Sequence, residues 1–270
     1  MTMLRTIALF IISALSLPGC TTLYKTNAVY SPMLEKKGDL NISAALSTSG
    51  SGLLNVNAAY AISDRAGLLV NGMYHTYREK TTYWAGNSTS DDLNIYSVEL
   101  APGFNTPLSA DGNWHLQWYG GAGWGDTKVN GSGYTEDPLQ PEPYATANFY
   151  NFFMQPGIFL SKKNIQLGFD IRANYVNMYD VTGQLYERFD WWDTEYIYTN
   201  DANLNFMLIE PNVTFKVGGE KMKAVFQMGV TIPTLNADDY YAVNSVENFT
   251  LPIKMVFGVG YTFKKKEAGE

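Results

Sequence analysis

The chain has 270 residues, a formal net charge of −7, and only 17% charged residues. This acidic balance excludes nucleic-acid binding through phosphates, which requires a basic surface. The length fits one large all-β domain, and the 19 Tyr and 24 Gly are typical of transmembrane strands, which need interfacial aromatics and small lumen residues.

The first nineteen residues are predicted to be a lipoprotein signal peptide. Arg5 precedes an apolar run over residues 7–17 that is too short to span a membrane as a helix. The sequence Leu17-Pro18-Gly19-Cys20 resembles the lipobox of bacterial lipoproteins, which implies that Cys20 is the acylated first residue of the mature chain. Pro18 departs from the small residue usual at its position. The alternative is an ordinary signal peptide followed by an incidental thiol. The lipobox is favoured because Cys20 is the only cysteine and lies at the one position where lipidation would consume it.

Residues 20–38 show no periodicity and are predicted to be a lipidated periplasmic tether. Thr21 and Thr22 follow Cys20, without the Asp that marks other destinations, so the chain resembles lipoproteins sent to the outer membrane. We expect the lipid in the periplasmic leaflet. Residues 39–263 are predicted to form an integral outer-membrane β-barrel, and residues 264–270 a charged periplasmic tail.

Apolar and polar residues alternate with period two from Asp39 onward, which indicates strands with one face in lipid. In the run 251–263, which is predicted to be the closing strand, seven apolar side chains share one face, and the clearest amphipathic strand is 165–175. We predict an all-β, antiparallel up-and-down transmembrane barrel of ten strands, with eight as the alternative if strands one and three are misread. The predicted strands are 40–47, 54–62, 67–78, 96–104, 114–124, 150–160, 165–175, 207–216, 222–232 and 251–263.

The connections alternate in length along the chain. They are short after strands two, four, six and eight, and the long ones are predicted over about 79–92, 126–144, 178–201 and 233–248. This pattern is typical of barrels with short periplasmic turns and longer outer loops. Pro102, Pro156 and Pro211 recur in the descending strands, where proline usually marks a bulge or a strand edge.

Three segments carry a resemblance to a known family. They are Pro32-Met33-Leu34-Glu35-Lys36-Lys37-Gly38, Ala59-Tyr60-Ala61-Ile62-Ser63-Asp64 and Leu68-Leu69-Val70-Asn71-Gly72-Met73. Together they resemble a family of lipoprotein-anchored outer-membrane barrels of the Bacteroidota. The resemblance implies the location and the fold, and it brings no catalytic residues.

Polar side chains with the inward parity are predicted to form a lumen network. A ten-strand barrel is narrow, so we expect these charges to meet across it and pair. One interpretation is a satisfied internal network that plugs the lumen. The other is a polar constriction in a narrow pore for small polar solutes. The predicted members are Glu99, His115, Asp170, Arg172, Glu210 and Lys254.

The outer loops combine acidic and aromatic residues that are candidates for binding a protein or a glycan. Those singled out are Trp191, Trp192, Asp193, Asp238 and Asp239. We expect outer-membrane lipids and lipopolysaccharide as neighbours, and carboxylates there can share divalent cations. No ligand spacing indicates a metal site, and no cofactor is predicted apart from the covalent lipid on Cys20.

A surface hydrolase is the weakest of the functional hypotheses. Ten-stranded surface proteases carry an Asp-His dyad near the outer rim, and here only His75 lies near Asp91 and Asp92 in the predicted topology. His115 lies near the periplasmic end. The sequence therefore predicts no enzyme, but a barrel with a structural or surface-interaction role.

Overall fold

The computed structural model describes residues 24–47, 53–82, 88–132, 144–190, 193–234 and 253–264, which form one closed antiparallel sheet. Among these residues, no helix is long and apolar enough to cross a membrane. The strands are β1 (Leu40–Ser47), β2 (Leu53–Ala61), β3 (Ala66–Thr82), β4 (Ser88–Pro107), β5 (Trp114–Ser132), β6 (Tyr144–Lys162), β7 (Ile165–Asp190), β8 (Asp193–Gly218), β9 (Met222–Val230), β10 (Ile232–Thr234) and β11 (Ile253–Phe263).

Each strand pairs with its neighbours in chain order, and the sheet closes where the first strand meets the last. Leu40 on β1 lies opposite Phe263 on β11. β9 and β10 are two parts of one strand interrupted at Thr231, and both pair with β8 in the same register. The prediction of a ten-strand barrel is confirmed. The eight-strand alternative is wrong, because β1 and β3 are both fully paired members of the sheet.

The outer face of the sheet carries a belt of apolar side chains although no protein layer of the described residues covers it. On β7, the outward residues from Ile165 to Tyr175 are all apolar, and Asn177 is the first polar one. Tyr96, Trp124, Tyr150 and Tyr175 stand at the corresponding upper boundary on β4 to β7. Aromatic girdles around an apolar band about 25 Å tall are the mark of a transmembrane barrel.

The strands continue past this upper girdle, and there the outward-facing residues become polar while the inward-facing residues become apolar. The next outward residues are polar, namely Asn94, Asp126, Asn148, Asn177 and Asn205. The inward residues become apolar and form a buried cluster, which we call the upper core. Its members include Leu93, Ile95, Val129, Ala145, Ala147, Phe149, Val176, Met178, Val181, Phe206 and Leu208. Water replaces lipid outside, so the apolar side chains turn inward.

This exchange explains why three of the predicted long connections are wrong. The stretch 178–201 is mostly strand, since β7 ends at Asp190 and β8 begins at Asp193. Likewise β5 continues to Ser132, and β3 and β4 extend beyond the predicted ends. The outward residues of these strand extensions are polar, so the extensions lack the outward apolar residues by which lipid-facing strands are recognised.

The repeated prolines do not form bulges. Around Pro102, the pairs Leu100↔Ala122 and Gly103↔Tyr119 keep one register while the intervening pairing opens. The β6–β7 ladder opens at Pro156 in the same way, again without a shift. Each proline therefore removes a ladder donor locally and leaves strand alignment unchanged.

The N-terminal segment, residues 24–38, runs inside the barrel and ends in a turn at its rim. Its residues 24–34 are all buried, and a turn at Lys36 and Lys37 leads to Gly38, whose φ of 89° suits glycine. The amide of Gly38 donates to Ala61 O at 2.8 Å, which fixes the segment beside the end of β2. The prediction of a tether outside the barrel is therefore wrong for this part. Residues 1–19, Cys20 and 265–270 lie outside the described part.

Candidate functional site

The centre of the lumen holds a chain of alternating charges from four strands. Arg172 on β7 makes two hydrogen bonds to Glu99 on β4, one of them from Nη1 to Oε2 at 3.1 Å. Its Nε lies 3.6 Å from Glu210 Oε2 on β8. Lys254 on β11 donates to Glu210 Oε1 at 2.7 Å. Two cations and two anions balance here, which is the condition for burying charge.

Neighbouring amides support the Glu99 carboxylate. Asn71 and Asn151 each donate to it at 3.0 Å, so both of its oxygens have an amide and a guanidinium donor. The Arg172 guanidinium also lies 4.1 Å from the centroid of the Phe153 ring. A cation over an aromatic face is stabilised further when it is removed from water.

A second cluster lies towards the short-turn end. Asp170 accepts hydrogen bonds from Gln117 at 2.7 Å and from Gln155 at 3.5 Å. Lys216 donates to the carbonyl oxygen of Ser31 at 2.7 Å and lies 5.1 Å from the Tyr30 ring centroid. The wall and the N-terminal segment thus share this cluster.

The lumen wall binds the segment chiefly through its main chain. Asn55 Oδ1 accepts from the amide of Ala28 at 3.0 Å, and side chains from six strands donate to segment carbonyls. The donors are Asn41 to Pro32 O at 2.9 Å, Gln155 to Tyr30 O at 2.9 Å, Gln227 to Val29 O at 2.7 Å, Asn212 to Val29 O at 3.4 Å, Lys254 to Asn27 O at 3.5 Å, and Asn105 to Leu34 O. These bonds satisfy backbone groups that would otherwise be buried without partners.

Glycines on the inner face of the wall make room for this filling. A Cβ added to Gly168 would lie 2.5 Å from Met33 Cε, and one added to Gly67 would lie 3.0 Å from Leu34 Cδ1. A Cβ added to Gly123 would come similarly close to Asn151 and Glu99. The small residues of the inner face therefore face occupied space and do not line an open passage.

Tyr24 stands at the boundary between the polar network and the upper core. Its ring packs edge-on against Phe149 and Phe206, with centroids 5.0 and 5.4 Å away, and its hydroxyl accepts from Asn174 at 3.2 Å. The segment thus joins the apolar layer as well as the polar one.

The structure brings four of the six predicted lumen residues into one ion-pair chain and leaves two elsewhere. Asp170 belongs to the second cluster. His115 lies at the short-turn end, where its ring stacks on Phe159 and its nitrogens lie 3.2 Å from Asn105 Oδ1 and 2.8 Å from Gly112 O.

Of the five predicted loop residues, the structure describes one. Trp191, Trp192, Asp238 and Asp239 lie outside the described residues, and Asp193 is described only as the first residue of β8. No metal-binding group of three or more His, Cys, Asp or Glu occurs in the described part of the chain.

Of the two acids predicted near His75, Asp92 is wrong as a dyad partner, and nothing is described of the Asp91 side chain. His75 points into the lumen and is completely buried, whereas Asp92 has the outward parity. Asp92 instead pairs with Arg78, with 2.5 Å between Nε and Oδ1. Two side chains on opposite faces of one sheet cannot share a substrate.

A cavity of about 310 Å³ opens at the short-turn end, below the segment. Glu35 reaches it and accepts hydrogen bonds from Ser161 and, at 3.3 Å, from Gln166. Beside the segment, two further cavities measure only about 10 Å³ each, enough for about one water.

Sequence reasoning missed the segment, although a signal was present. Tyr24, Val29, Tyr30, Met33 and Leu34 are too apolar for a solvated tether. Because these apolar residues do not alternate with polar ones, the period-two pattern that identifies strands does not identify this segment.

No protein-family model matches the sequence, and a comparison with curated proteins finds no match. Solved structures do show likeness. A major outer membrane protein from Thermus thermophilus shares 11% identity over 84% of this chain and 99% of its own, with a TM-score of 0.36. Acinetobacter baumannii CarO shares 12% identity over 87% of this chain and 100% of its own, with a TM-score of 0.29. The copper transporter OprC shares 11% over 91% of this chain and 46% of its own, with a TM-score of 0.27.

The closed sheet and its apolar belt indicate that the barrel lies in a membrane. Lipid leaves no water for open sheet edges, and only closed barrels cross it with strands. The chain is therefore an outer-membrane β-barrel whose lumen is occupied by its own residues 24–34.

Proposed function

We propose that the protein is a lipid-anchored outer-membrane barrel with a structural or surface-interaction role, closed by its own N-terminal segment and without catalytic turnover. The observation that supports this is the filling of the lumen. The segment is buried along residues 24–34 and bonded to side chains of most of the surrounding strands.

Planar-bilayer recording tests the closed barrel. We expect full-length protein, refolded and inserted, to give no discrete conductance steps. Insertion is verified separately by the altered gel mobility of the folded form. Regular steps from the wild type would contradict closure and support the second candidate, a narrow pore for small polar solutes.

The second candidate is favoured by one observation, the chain of alternating charges formed by Glu99, Arg172, Glu210 and Lys254. Charged side chains of this kind form a selective constriction once water can reach them. A pore of this kind requires the segment to leave the lumen. Steps that appear only after trypsin cleavage beside the segment, and not before, would identify it.

The lipid anchor is a separate part of the proposal. Acylation consumes the thiol of Cys20, so we expect radiolabelled palmitate in the wild type and none in Cys20→Ala. A labelled Cys20→Ala protein, or an unlabelled wild type, would remove the anchor and leave the barrel.

The interaction role rests on the outer loops with Trp191, Trp192, Asp193, Asp238 and Asp239. Lipopolysaccharide, divalent cations, a glycan or a protein partner are the ligands that their chemistry fits. Cross-linking on intact cells followed by purification identifies the partner.

A further inference from the structure

The segment has a defined direction through the barrel. At its C-terminal end, Glu35 bonds with Ser161 and Gln166, beside the short turn between β6 and β7. At its other end, Tyr24 packs with the upper core, which includes Leu53, the first residue of β2 at the opposite rim. The chain therefore runs from the rim of the long connections down to the rim of the short turns, where β1 begins.

The intermediate contacts follow the same order. Asn27 bonds with Lys254, Val29 with Gln227, and Ser31 with Lys216. By strand register, each of these three wall residues lies closer to the short-turn end than the one before it. The direction is thus set by bonds along the whole segment and not by its ends alone.

This direction restricts where residues before Tyr24 can reach. From Phe149, which touches Tyr24, β6 runs on to Lys162 at the short-turn rim, about 30 Å along the barrel axis for a tilted strand. Cys20 is four residues before Tyr24, and four extended residues span at most about 14 Å. An acyl group on Cys20 cannot reach the short-turn rim while the segment fills the lumen.

We propose that the chain enters the barrel from the rim of the long connections, so that the residues before Tyr24, with any lipid on Cys20, are displayed at the outer face of the membrane. This rests on the proposed orientation, with short turns in the periplasm. It replaces the periplasmic-leaflet lipid expected from Thr21 and Thr22.

Cysteine accessibility tests the proposal in the full-length chain. Acylated wild type has no free thiol, because Cys20 is its only cysteine. Three single variants are compared with it: Thr22→Cys before the segment, Ser132→Cys at the outer end of β5, and Lys163→Cys in the short β6–β7 turn. Each is treated with a membrane-impermeant maleimide on intact and on permeabilised cells.

We expect the thiols of Thr22→Cys and Ser132→Cys to be labelled to the same extent on intact and on permeabilised cells. We expect the thiol of Lys163→Cys to be labelled only after permeabilisation. The proposal would be overturned if Thr22→Cys, like Lys163→Cys, were labelled only on permeabilised cells, or if it were not labelled at all. If Lys163→Cys labels on intact cells and Ser132→Cys does not, the orientation in the proposed function has failed, and display of residues before Tyr24 at the outer face fails with it.

Labelling of the wild type has a different meaning. It would show that Cys20 keeps its thiol, so that the lipid anchor fails. The three variants are then compared on a Cys20→Ala background, where the position of residue 22 is read without interference.

Discussion

Arg172 and Glu99 form a two-pronged ion pair across the lumen, although β5 and β6 separate their strands in the wall. Both side chains are buried, at 0% and 2% exposure. Each would be costly alone, so the pair makes the stability of the barrel depend on both partners.

Arg172→Met removes the cation and leaves the buried Glu99 carboxylate without a charged partner, whereas Glu210 keeps Lys254. Breaking a buried pair costs about 3–5 kcal/mol, so we expect a loss of that size in the free energy of unfolding. Urea titration in lipid vesicles measures it. The control is Arg78→Met, which removes the exposed Asp92 pair and should cost less than about 1 kcal/mol. Equal losses in both variants would contradict a central role for Arg172.

An arginine in the apolar belt is expected to cost free energy according to its depth. Ile171 is near the middle of the belt on β7, and Ile171→Arg should cost about 2–4 kcal/mol in the same assay. Leu167 is only the third residue of β7, near the short-turn rim, so Leu167→Arg should cost clearly less. If both variants are tolerated equally, the apolar belt does not have the boundaries that the outward residues of β7 indicate.

Replacement of Gly123 by a residue with a side chain is expected to destabilise the barrel. Its Cβ would lie 2.4 Å from Asn151 Oδ1 and 2.6 Å from Glu99 Cγ, and overpacking of this kind costs about 1–3 kcal/mol. Gly123→Val should therefore lower the midpoint of urea unfolding. The matched control is Gly72→Ala, whose nearest contact would be an ordinary 3.6 Å, and which should leave the midpoint unchanged.

Trypsin should distinguish lysines inside and outside the lumen. Lys36 and Lys37 are exposed in the turn, whereas Lys25 is buried at 8% exposure. We expect the folded protein to be cut after Lys36 or Lys37 and to be protected at Lys25, as read by mass spectrometry of the fragments. The denatured chain is the control and should be cut at all three. Rapid cleavage at Lys25 in the folded protein would show that the segment is not held inside.

The strands and their facing were predictable because lipid imposes a simple rule. Every second residue of a run such as 165–175 must be apolar, so alternation identifies both the strand and its outward side. The ends of β7 and β8 were not predictable in this way, since past the girdle the outward residues are polar and the apolar residues face inward.

The site was predictable only in part, for a related reason. Inward charges such as Glu99 and Arg172 stand out against small neighbours, and pairing follows from the narrow lumen. The position of residues 24–34 inside the barrel depends on hydrogen bonds between their backbone and side chains that are distant in the sequence. No local sequence pattern indicates these hydrogen bonds. Asn55 and Gln227, which hold this backbone, look like ordinary inward polar residues.

The position of residues 24–38 also constrains the order of assembly. They join β1 without a break, and β1 seals the barrel against β11. If Cys20 bears a lipid, that bulky end cannot be drawn through the narrow lumen of a barrel that is already closed, so the seam between β1 and β11 must form last, around a segment already in place. The earliest part of the polypeptide would then serve as the template on which its latest strand is fitted.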